Sequence, residues 1–394
     1  MPEIVVERRM RGFISLTSHP DGCAANVAKQ VATARAGLAG HIDNALVLGS
    51  STGYGLASLL CASFGLGADS LGVCFEREPE GDKTASAGWY NLVEAHRRAA
   101  DTGLHMETIN ADAFSDTVKD EVLAALAARF GPLDLVVYSV AAPRRRGPDG
   151  ETWASVLKPI GETHRGKGLD LRRGTITDLS IDPATDDEVV ATQKVMGGED
   201  WQEWIDRLDG AGLLSPGCRT ISYSYIGPEV TASIYRNGSI GQAKKHLEQT
   251  AHGLNERWAA AGGGAWVAVN KAVVTQSSSA IPAVPLYMSI LRPVMAEAGV
   301  DEEAIDQIVR LFAEHVGPGR TPTVDAEGRI RLDDRELAAD IQAEVLRRWE
   351  QISDDSLDQL ADFAGYQKAF NQLFGFDVGG VDESKPTEID RRLS

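Results

Sequence analysis

Tyr235 and Lys244 stand nine positions apart, with a second tyrosine, Tyr225, shortly before them. An enzyme that adds hydride to a substrate without a metal must stabilise negative charge developing on a carbonyl oxygen. A tyrosine hydroxyl near a lysine ammonium does this. The ammonium favours phenolate and so lowers the tyrosine pKa. On one continuous helix nine steps make about two and a half turns, which puts the two side chains on opposite faces. The run Asn237-Gly-Ser239 interrupts that helix, however. Ser239 followed by Gln242 reads as a capping box, so the helix is expected to begin near Ser239. Tyr235 then sits in the preceding turn, free to aim into a pocket, and Lys244 projects from the second helical turn. The plainer alternatives are a half-buried core tyrosine and a solvated lysine.

A second constellation lies in Ala45-Leu-Val-Leu-Gly49-Ser-Ser-Thr-Gly53-Tyr54-Gly55. An apolar run ends in three glycines and a small-residue helix follows. Glycines allow a sharp turn and the close approach of a pyrophosphate to backbone amides. The open N–H groups and the dipole at the helix start favour that anion. Between a strand and a helix this reads as dinucleotide binding rather than as a plain turn. Glu76 follows the next apolar run, 27 positions beyond Gly49. An acid there accepts hydrogen bonds from the adenine ribose and repels a 2′-phosphate, which favours NAD over NADP. Neighbouring Arg77 tempers that preference. Asp112 suits either an adenine contact or a helix cap. Small residues in Val140-Ala141-Ala142 leave room for a cofactor or belong to an ordinary loop.

The elements that must position these groups alternate. Strands are expected at Ala45–Leu48, Ser70–Phe75, His105–Asn110, Leu133–Ser139, Thr220–Tyr225 and Trp266–Val274. Helices are expected at Tyr54–Phe64, Trp89–Ala100 and Phe114–Phe130. Near-continuous apolar strands suit a sheet covered on both faces. The fold class is therefore α/β, with a doubly wound parallel Rossmann-type sheet. We expect one elaborated domain over 1–394. It comprises an N-terminal extension (1–44), a first dinucleotide-binding half (45–143), an insertion (144–195), a catalytic half (196–275) and a helical substrate-lid and C-terminal region (276–394). A helix is expected to reopen at Met196–Trp201 with Asp200 as a cap. Further helices are expected at Pro285–Ala298, Asp301–Glu314, Arg335–Gln351 and Ser356–Phe363. The stretch Ser277–Met288 suits an apolar wall over an acyl chain or an ordinary helix start.

The bulk numbers narrow the partners. The chain has 394 residues, an apolar fraction of 43% and a formal net charge of −18. That charge disfavours nucleic acid. No run reaches the ~18 apolar residues of a membrane helix, and the N-terminus lacks a signal-peptide core. The four scattered cysteines show no C-x-x-C, and the eight histidines no metal-ligand spacing. We expect no metal, no membrane contact, a cytoplasmic location and a monomer. The run Arg144-Arg-Arg146 suits a solvated loop better than a docking site.

These motifs together resemble the FabV-type enoyl-acyl-carrier-protein reductases and the related trans-2-enoyl-CoA reductases, enlarged relatives of the short-chain dehydrogenases. The resemblance rests on Tyr235-x8-Lys244 and spans nearly the whole chain. It includes Arg11–Ile14, Gly49–Ser58, Gly88-Trp-Tyr-Asn91, Ala111-Asp-Ala-Phe114, Leu157-Lys-Pro-Ile-Gly161 and Met196–Trp201. It continues through Asn237-Gly-Ser-Ile-Gly241, Lys271–Thr275, Ser279–Pro282, Pro285-Leu-Tyr287 and Leu373-Phe-Gly-Phe376. It departs at Ala111, where glycine is usual, and at Val140-Ala-Ala142, where a Leu-Ala-Ser type run is usual. The tail after Asp377 matches poorly.

The resemblance implies NADH-dependent reduction of the C2=C3 bond of trans-2-enoyl thioesters of acyl carrier protein or CoA, in fatty-acid synthesis. It makes Tyr235 the proton donor, Lys244 a contact of the nicotinamide ribose, and Tyr225 a substrate contact. It assigns NAD contacts to Gly49, Ser50, Ser51, Thr52, Gly53, Tyr54, Phe75, Glu76, Asp112, Ala113, Val140, Ala141, Val273, Val274 and Thr275. Two other readings of the residues stay open. One is a ketoreductase or alcohol dehydrogenase of the same superclass, and the other a non-catalytic dinucleotide sensor.

Overall fold

The structure is a computed structural model that describes residues 3–11, 14–147, 149–258, 262–279, 281 and 283–393. Parts of two family motifs, at 12–13 and at 280 and 282, lie outside the described residues. The centre is a seven-stranded, all-parallel sheet. Its strands are β1 (Asn44–Leu48), β2 (Asp69–Cys74), β3 (Met106–Asn110), β4 (Leu133–Tyr138), β5 (Leu214–Ser224), β6 (Gly264–Val269) and β7 (Ile330–Arg331). They lie in the spatial order β7-β6-β5-β4-β1-β2-β3. The order reverses between β1 and β4, and in open sheets of this kind ligands bind outside the carboxyl ends of the strands at such a switch point.

Alternate residues of each strand feed two apolar layers. Ala45 and Val47 of β1 face one layer, with α2 (Gly53–Leu60) and α9 (Ala304–Leu311). Leu46 and Leu48 face the other, with α4 (Asp116–Arg129), α6 (Glu199–Gly210) and α7 (Ser239–Trp258). A strand buried on both faces reads as an unbroken apolar run, which is why the strands were visible in the sequence.

A third apolar cluster sits at the carboxyl edge. It joins α8 (Val284–Glu297) to Ile341 and Val345 of α10 (Ala339–Gln351) and Tyr366 of α11 (Phe363–Gln372), and Tyr225 and Tyr235 pack against it. Segment 144–195 leaves the sheet. It forms a short strand pair, a hairpin of His164–Asp170 with Thr175–Ile181, and α5 (Asp186–Met196). The N-terminal helix α1 (Pro20–Gly37) and α3 (Ala87–Thr102) complete the frame.

Several boundaries differ from expectation. The strand expected over Trp266–Val274 ends at Val269. Beyond it the backbone donors turn to side chains: Lys271 N–H to Gln307 (2.9 Å), Ala272 N–H to Glu336 (2.6 Å) and Thr275 N–H to Ser278 (2.9 Å). A ladder cannot continue once its donors are taken. Asp200 is not a cap. Helix α6 starts at Glu199 behind Gly198, and the Asp200 carboxylate lies buried against Lys119 Nζ (2.7 Å) and the Tyr138 hydroxyl (3.0 Å). The helix expected over Ser356–Phe363 breaks into Leu357–Leu360 and α11, which is capped by the Asp362 carboxylate.

Candidate active site

The glycine loop follows β1. Gly49 and Gly53 have φ of +84° and +54°, a region open to glycine at little cost. A Cβ on Gly55 would lie 1.8 Å from the Gly49 carbonyl oxygen, so no larger residue fits there. The Gly49 and Ser50 amides are held by the Val73 carbonyl (2.8 and 3.1 Å). Asn91 Nδ2 clamps the Ser51 carbonyl at 3.1 Å. Helix α2 then begins after Thr52 with no side-chain cap, leaving first-turn amides for an anion.

Glu76 lies just past β2 and is fixed by its surroundings. Its carboxylate accepts from Ser51 Oγ at 2.6 Å, and its amide donates to Asn110 at 2.7 Å. Gly88 leaves the space that the carboxylate fills. The Phe75 ring beside it is 81% exposed, an open face for a planar base. Exposed Asp112 is bound locally, accepting from the Phe114 amide (3.0 Å), and the cap position of α4 falls to Ser115. Val140 and Ala141 follow β4 at the same edge, Ala141 exposed and Val140 half-buried. Thr275 comes within reach of the loop, its methyl 4.0 Å from where a Gly53 Cβ would stand. Val273 and Val274 precede it, and the Val273 carbonyl accepts from Ser278 Oγ. The Tyr54 hydroxyl instead turns inward. It donates to the Lys271 carbonyl (2.9 Å) and accepts from Gln307 (2.8 Å), so only its backbone is left for a phosphate.

The tyrosine side is assembled from four chain segments. Tyr225 follows β5 and Tyr235 lies in the turn before α7. Their rings meet edge to face, centroids 4.8 Å apart and planes at 85°. Helix α7 begins at Ser239 as expected, but not through a capping box with Gln242. The Gln242 amide donates to the Gly238 carbonyl, while the Ser239 hydroxyl donates to the Val156 carbonyl and accepts from the Lys158 amide. The family motif around Lys158 is thus a brace for the start of α7. Gly241 lets the Tyr235 turn lie against the helix, since a Cβ there would sit 2.1 Å from the Arg236 carbonyl oxygen.

The structure does not couple Tyr235 to Lys244 as the sequence suggested. Lys244 Nζ donates to the Tyr223 carbonyl at 2.9 Å, back toward β5. The protein crowded around it pushes the ammonium down to about 8, with Glu248 opposing. Tyr235 is held well above its ordinary pKa, by burial first and the nearby Glu336 charge second. Its hydroxyl makes no hydrogen bond among the described residues and so keeps its proton for a ligand. Tyr225 differs, because its hydroxyl donates to Glu336 Oε1 at 2.9 Å. The Tyr287 hydroxyl donates to the same oxygen at 2.6 Å, and the Ala272 amide to Oε2. Glu336 is fully buried, and burial pushes its carboxyl above the usual range.

Sequence reasoning missed Glu336. It stands in Asp333-Asp-Arg-Glu336, an ordinary acidic run before a helix, with no local mark of its role. Tyr287 stands in one of the family motifs, but nothing in the motif says what its hydroxyl bonds. Ser224 Oγ and both polar atoms of the Asn270 amide were missed as well. They are buried at the carboxyl end of β5 and just past that of β6, and lack partners among the described residues.

These features fit a dinucleotide. They supply a cradle that a Cβ would close, an uncapped helix start, a fixed acid for a ribose, and unpartnered polar atoms at the carboxyl edge.

Three family models match the chain. The NAD(P)H binding domain of trans-2-enoyl-CoA reductase covers residues 5–81, and its catalytic region covers 83–316. A domain described as an enoyl reductase FAD binding domain covers 324–386. The residues there are engaged otherwise. Ile341, Val345 and Tyr366 fill the apolar cluster, and Glu336 reaches the tyrosines. An enoyl-[acyl-carrier-protein] reductase [NADH] of Burkholderia pseudomallei is 49% identical over 99% of both chains. The Treponema denticola trans-2-enoyl-CoA reductase, solved with NAD, superposes with a TM-score of 0.94 at 43% identity, over 99% of both chains. A Clostridium trans-2-enoyl-CoA reductase solved with NADH gives a TM-score of 0.95 at 39% identity, covering 99% of this chain and 100% of that one. With this similarity running from end to end, the chain belongs to the family of trans-2-enoyl-CoA reductases and NADH-dependent enoyl-[acyl-carrier-protein] reductases.

Proposed function

We propose that the chain reduces the C2=C3 double bond of a trans-2-enoyl thioester with NADH, with Tyr235 as proton donor. The observation that carries this reading is the Tyr235 hydroxyl. It is protonated, unpartnered among the described residues and edge-on to Tyr225, against an apolar cluster suited to an acyl chain. The cradle from Gly49 to Tyr54 and Glu76 would hold NADH, which when bound would supply the hydride for C3. The π electrons move onto the thioester oxygen as an enolate. Tyr235 and Tyr225 face that oxygen and stabilise its charge. A proton from Tyr235 balances the reaction, C2 gains its hydrogen, and the carbonyl reforms. Because its pKa is raised, Tyr235 does not ionise before that charge appears. Lys244 fixes the end of β5 through the Tyr223 carbonyl and has further N–H donors for a ribose. Phe75, Asp112, Ala113, Val140, Ala141 and Val273–Thr275 line the nucleotide groove.

Crotonyl-CoA should oxidise NADH in the presence of the protein, and acetoacetyl-CoA should not. Comparable turnover of acetoacetyl-CoA would make the protein a ketoreductase. Tight NADH binding with no turnover on either would make it a sensor. The acyl carrier is acyl carrier protein or CoA, and kcat/KM on matched enoyl substrates separates the two. In the arginine run only Arg144 and Arg146 face solvent to meet an acidic carrier. Arg145 is buried, donating to the Lys194 carbonyl at 2.9 Å. We place the protein in the cytoplasm as a monomer with one elaborated domain. Sedimentation at working concentration tests the monomer.

A further inference from the structure

Four polar groups form a chain behind the substrate side of the site. Gln342 Nε2 lies 3.3 Å from the Tyr287 hydroxyl, which it supplies with a proton. Tyr287 donates to Glu336 Oε1 at 2.6 Å, and the same oxygen meets the Tyr225 hydroxyl at 2.9 Å. The other carboxyl oxygen is occupied by the Ala272 amide. A hydroxyl has one proton to give. If Glu336 is ionised, both tyrosine protons point at it, and Tyr225 has none left for a substrate oxygen. If Glu336 is protonated, Oε1 accepts from Tyr287 and donates to Tyr225, and the Tyr225 proton turns outward. The chain then runs in one direction: Gln342, Tyr287, Glu336, Tyr225, substrate.

We propose that Glu336 is a positioning residue whose protonated carboxyl turns Tyr225 into a hydrogen-bond donor for the thioester oxygen, and whose ionisation withdraws that donor. This rests on the enoyl-thioester reading. No bond to carbon changes at Glu336, and its proton stays within the chain. Burial favours a carboxyl that holds its proton, against the donors from Tyr287, Ala272 and Tyr225, which favour its charge. Tyr225, Tyr235 and Tyr287 are neutral phenols. The ammonium of Lys271 also faces it, and pairs with Asp301 at 2.8 Å. On its own segment, Asp333 is paired with Arg331 and Arg335 with Glu302. The charge of Glu336 also raises Tyr235, so a neutral Glu336 eases proton release there as well.

The test is the pH profile of kcat with saturating NADH and crotonyl-CoA for the wild type, Glu336→Gln, Glu336→Leu and Tyr287→Phe. The wild type should lose rate as pH rises through the Glu336 ionisation, above the usual carboxylate range. Glu336→Gln presents a permanent amide donor to Tyr225. It should keep kcat within about threefold and lose that limb, while Glu336→Leu should lose about a hundredfold, the scale of one oxyanion donor, at unchanged NADH KM. Tyr287→Phe removes a donor to the carboxylate, so the limb should move to higher pH. The Lys244 ionisation stays in every protein, so differences between profiles read Glu336 alone. An unchanged limb in Glu336→Gln, or a loss as deep as that of the leucine variant, overturns the proposal. NADH titration confirms that each variant folds. A wild type that binds NADH but never turns over crotonyl-CoA overturns the functional reading, and this proposal with it.

Discussion

The two sides of the crevice are built by different means. The nucleotide side is local, since Gly49 through Gly55 is one short turn running into α2 and Glu76 follows the adjacent strand. Its clamps are short and direct: Ser51 on Glu76 (2.6 Å) and Asn91 on the Ser51 carbonyl (3.1 Å). The substrate side is a convergence of distant segments. Tyr225, Tyr235, Tyr287 and Glu336 meet only because β5, the turn before α7, α8 and the approach to α10 all end at one edge. The first side depends on backbone shape and tolerates no added atoms. The second depends on hydroxyl protons and on which way they point.

The sharpest contrast comes from Tyr235→Phe. It leaves the cradle untouched and removes the one free hydroxyl among the four described groups of the substrate side. We expect kcat to fall about a thousandfold, within the range for a lost general acid, with NADH affinity unchanged. Stopped-flow reduction and NADH fluorescence titration separate the two quantities. Retained turnover would remove Tyr235 from the mechanism.

Gly55→Ala strikes the opposite side. Its Cβ would stand 1.8 Å from the Gly49 carbonyl oxygen, so backbone must shift. A displacement of about 1 Å in a positioned group costs on the order of a hundredfold. Here the loss should appear in NADH KM and Kd. If both variants failed in kcat alone, the division between the two sides would collapse.

That division also explains what the sequence made legible. Strands buried on both faces, the glycine turn and Glu76 are encoded within short windows, because local backbone geometry demands particular residues. The break before Ser239 was readable for the same reason. The brace from Lys158 to Ser239 was not, because its partners are 81 positions apart. Glu336 was illegible for a related cause: its acid is common in type, and only tertiary packing buries it beside two phenols. The supposed Tyr235–Lys244 coupling failed because spacing placed both groups near the site but did not fix where Lys244 Nζ finds its acceptor.

Glu76→Ala should have a smaller effect. Losing the hydrogen bond proposed between Glu76 and a ribose hydroxyl is worth about 1–1.5 kcal/mol, or roughly tenfold in NADH KM. Removing the negative charge should also raise NADPH use relative to NADH. The ratio of kcat/KM for the two cofactors measures it. An unchanged ratio would move cofactor choice elsewhere, with Arg77 next to be replaced.

The smallest effect concerns Lys244, where the two sides touch. Its folded pKa of about 8 lies below its ordinary value. Folding therefore disfavours the charged form, and the cost is fully present below about pH 8. As pH rises from there toward the ordinary lysine value of about 10.4, the unfolded chain still binds the proton that the folded chain has released, and the cost is relieved. Lys244→Met should thus melt higher than wild type at neutral pH, by about 1–2 °C given partial exposure, and the gap should close in alkali. The same variant loses the hold on the Tyr223 carbonyl and the donors proposed for the ribose, so its NADH KM should rise while its melting temperature does not fall. A variant less stable than wild type at neutral pH would mean that the bond to Tyr223 outweighs the desolvation of the ammonium. Lys244 would then be a strut of β5 before it is a ligand of the cofactor.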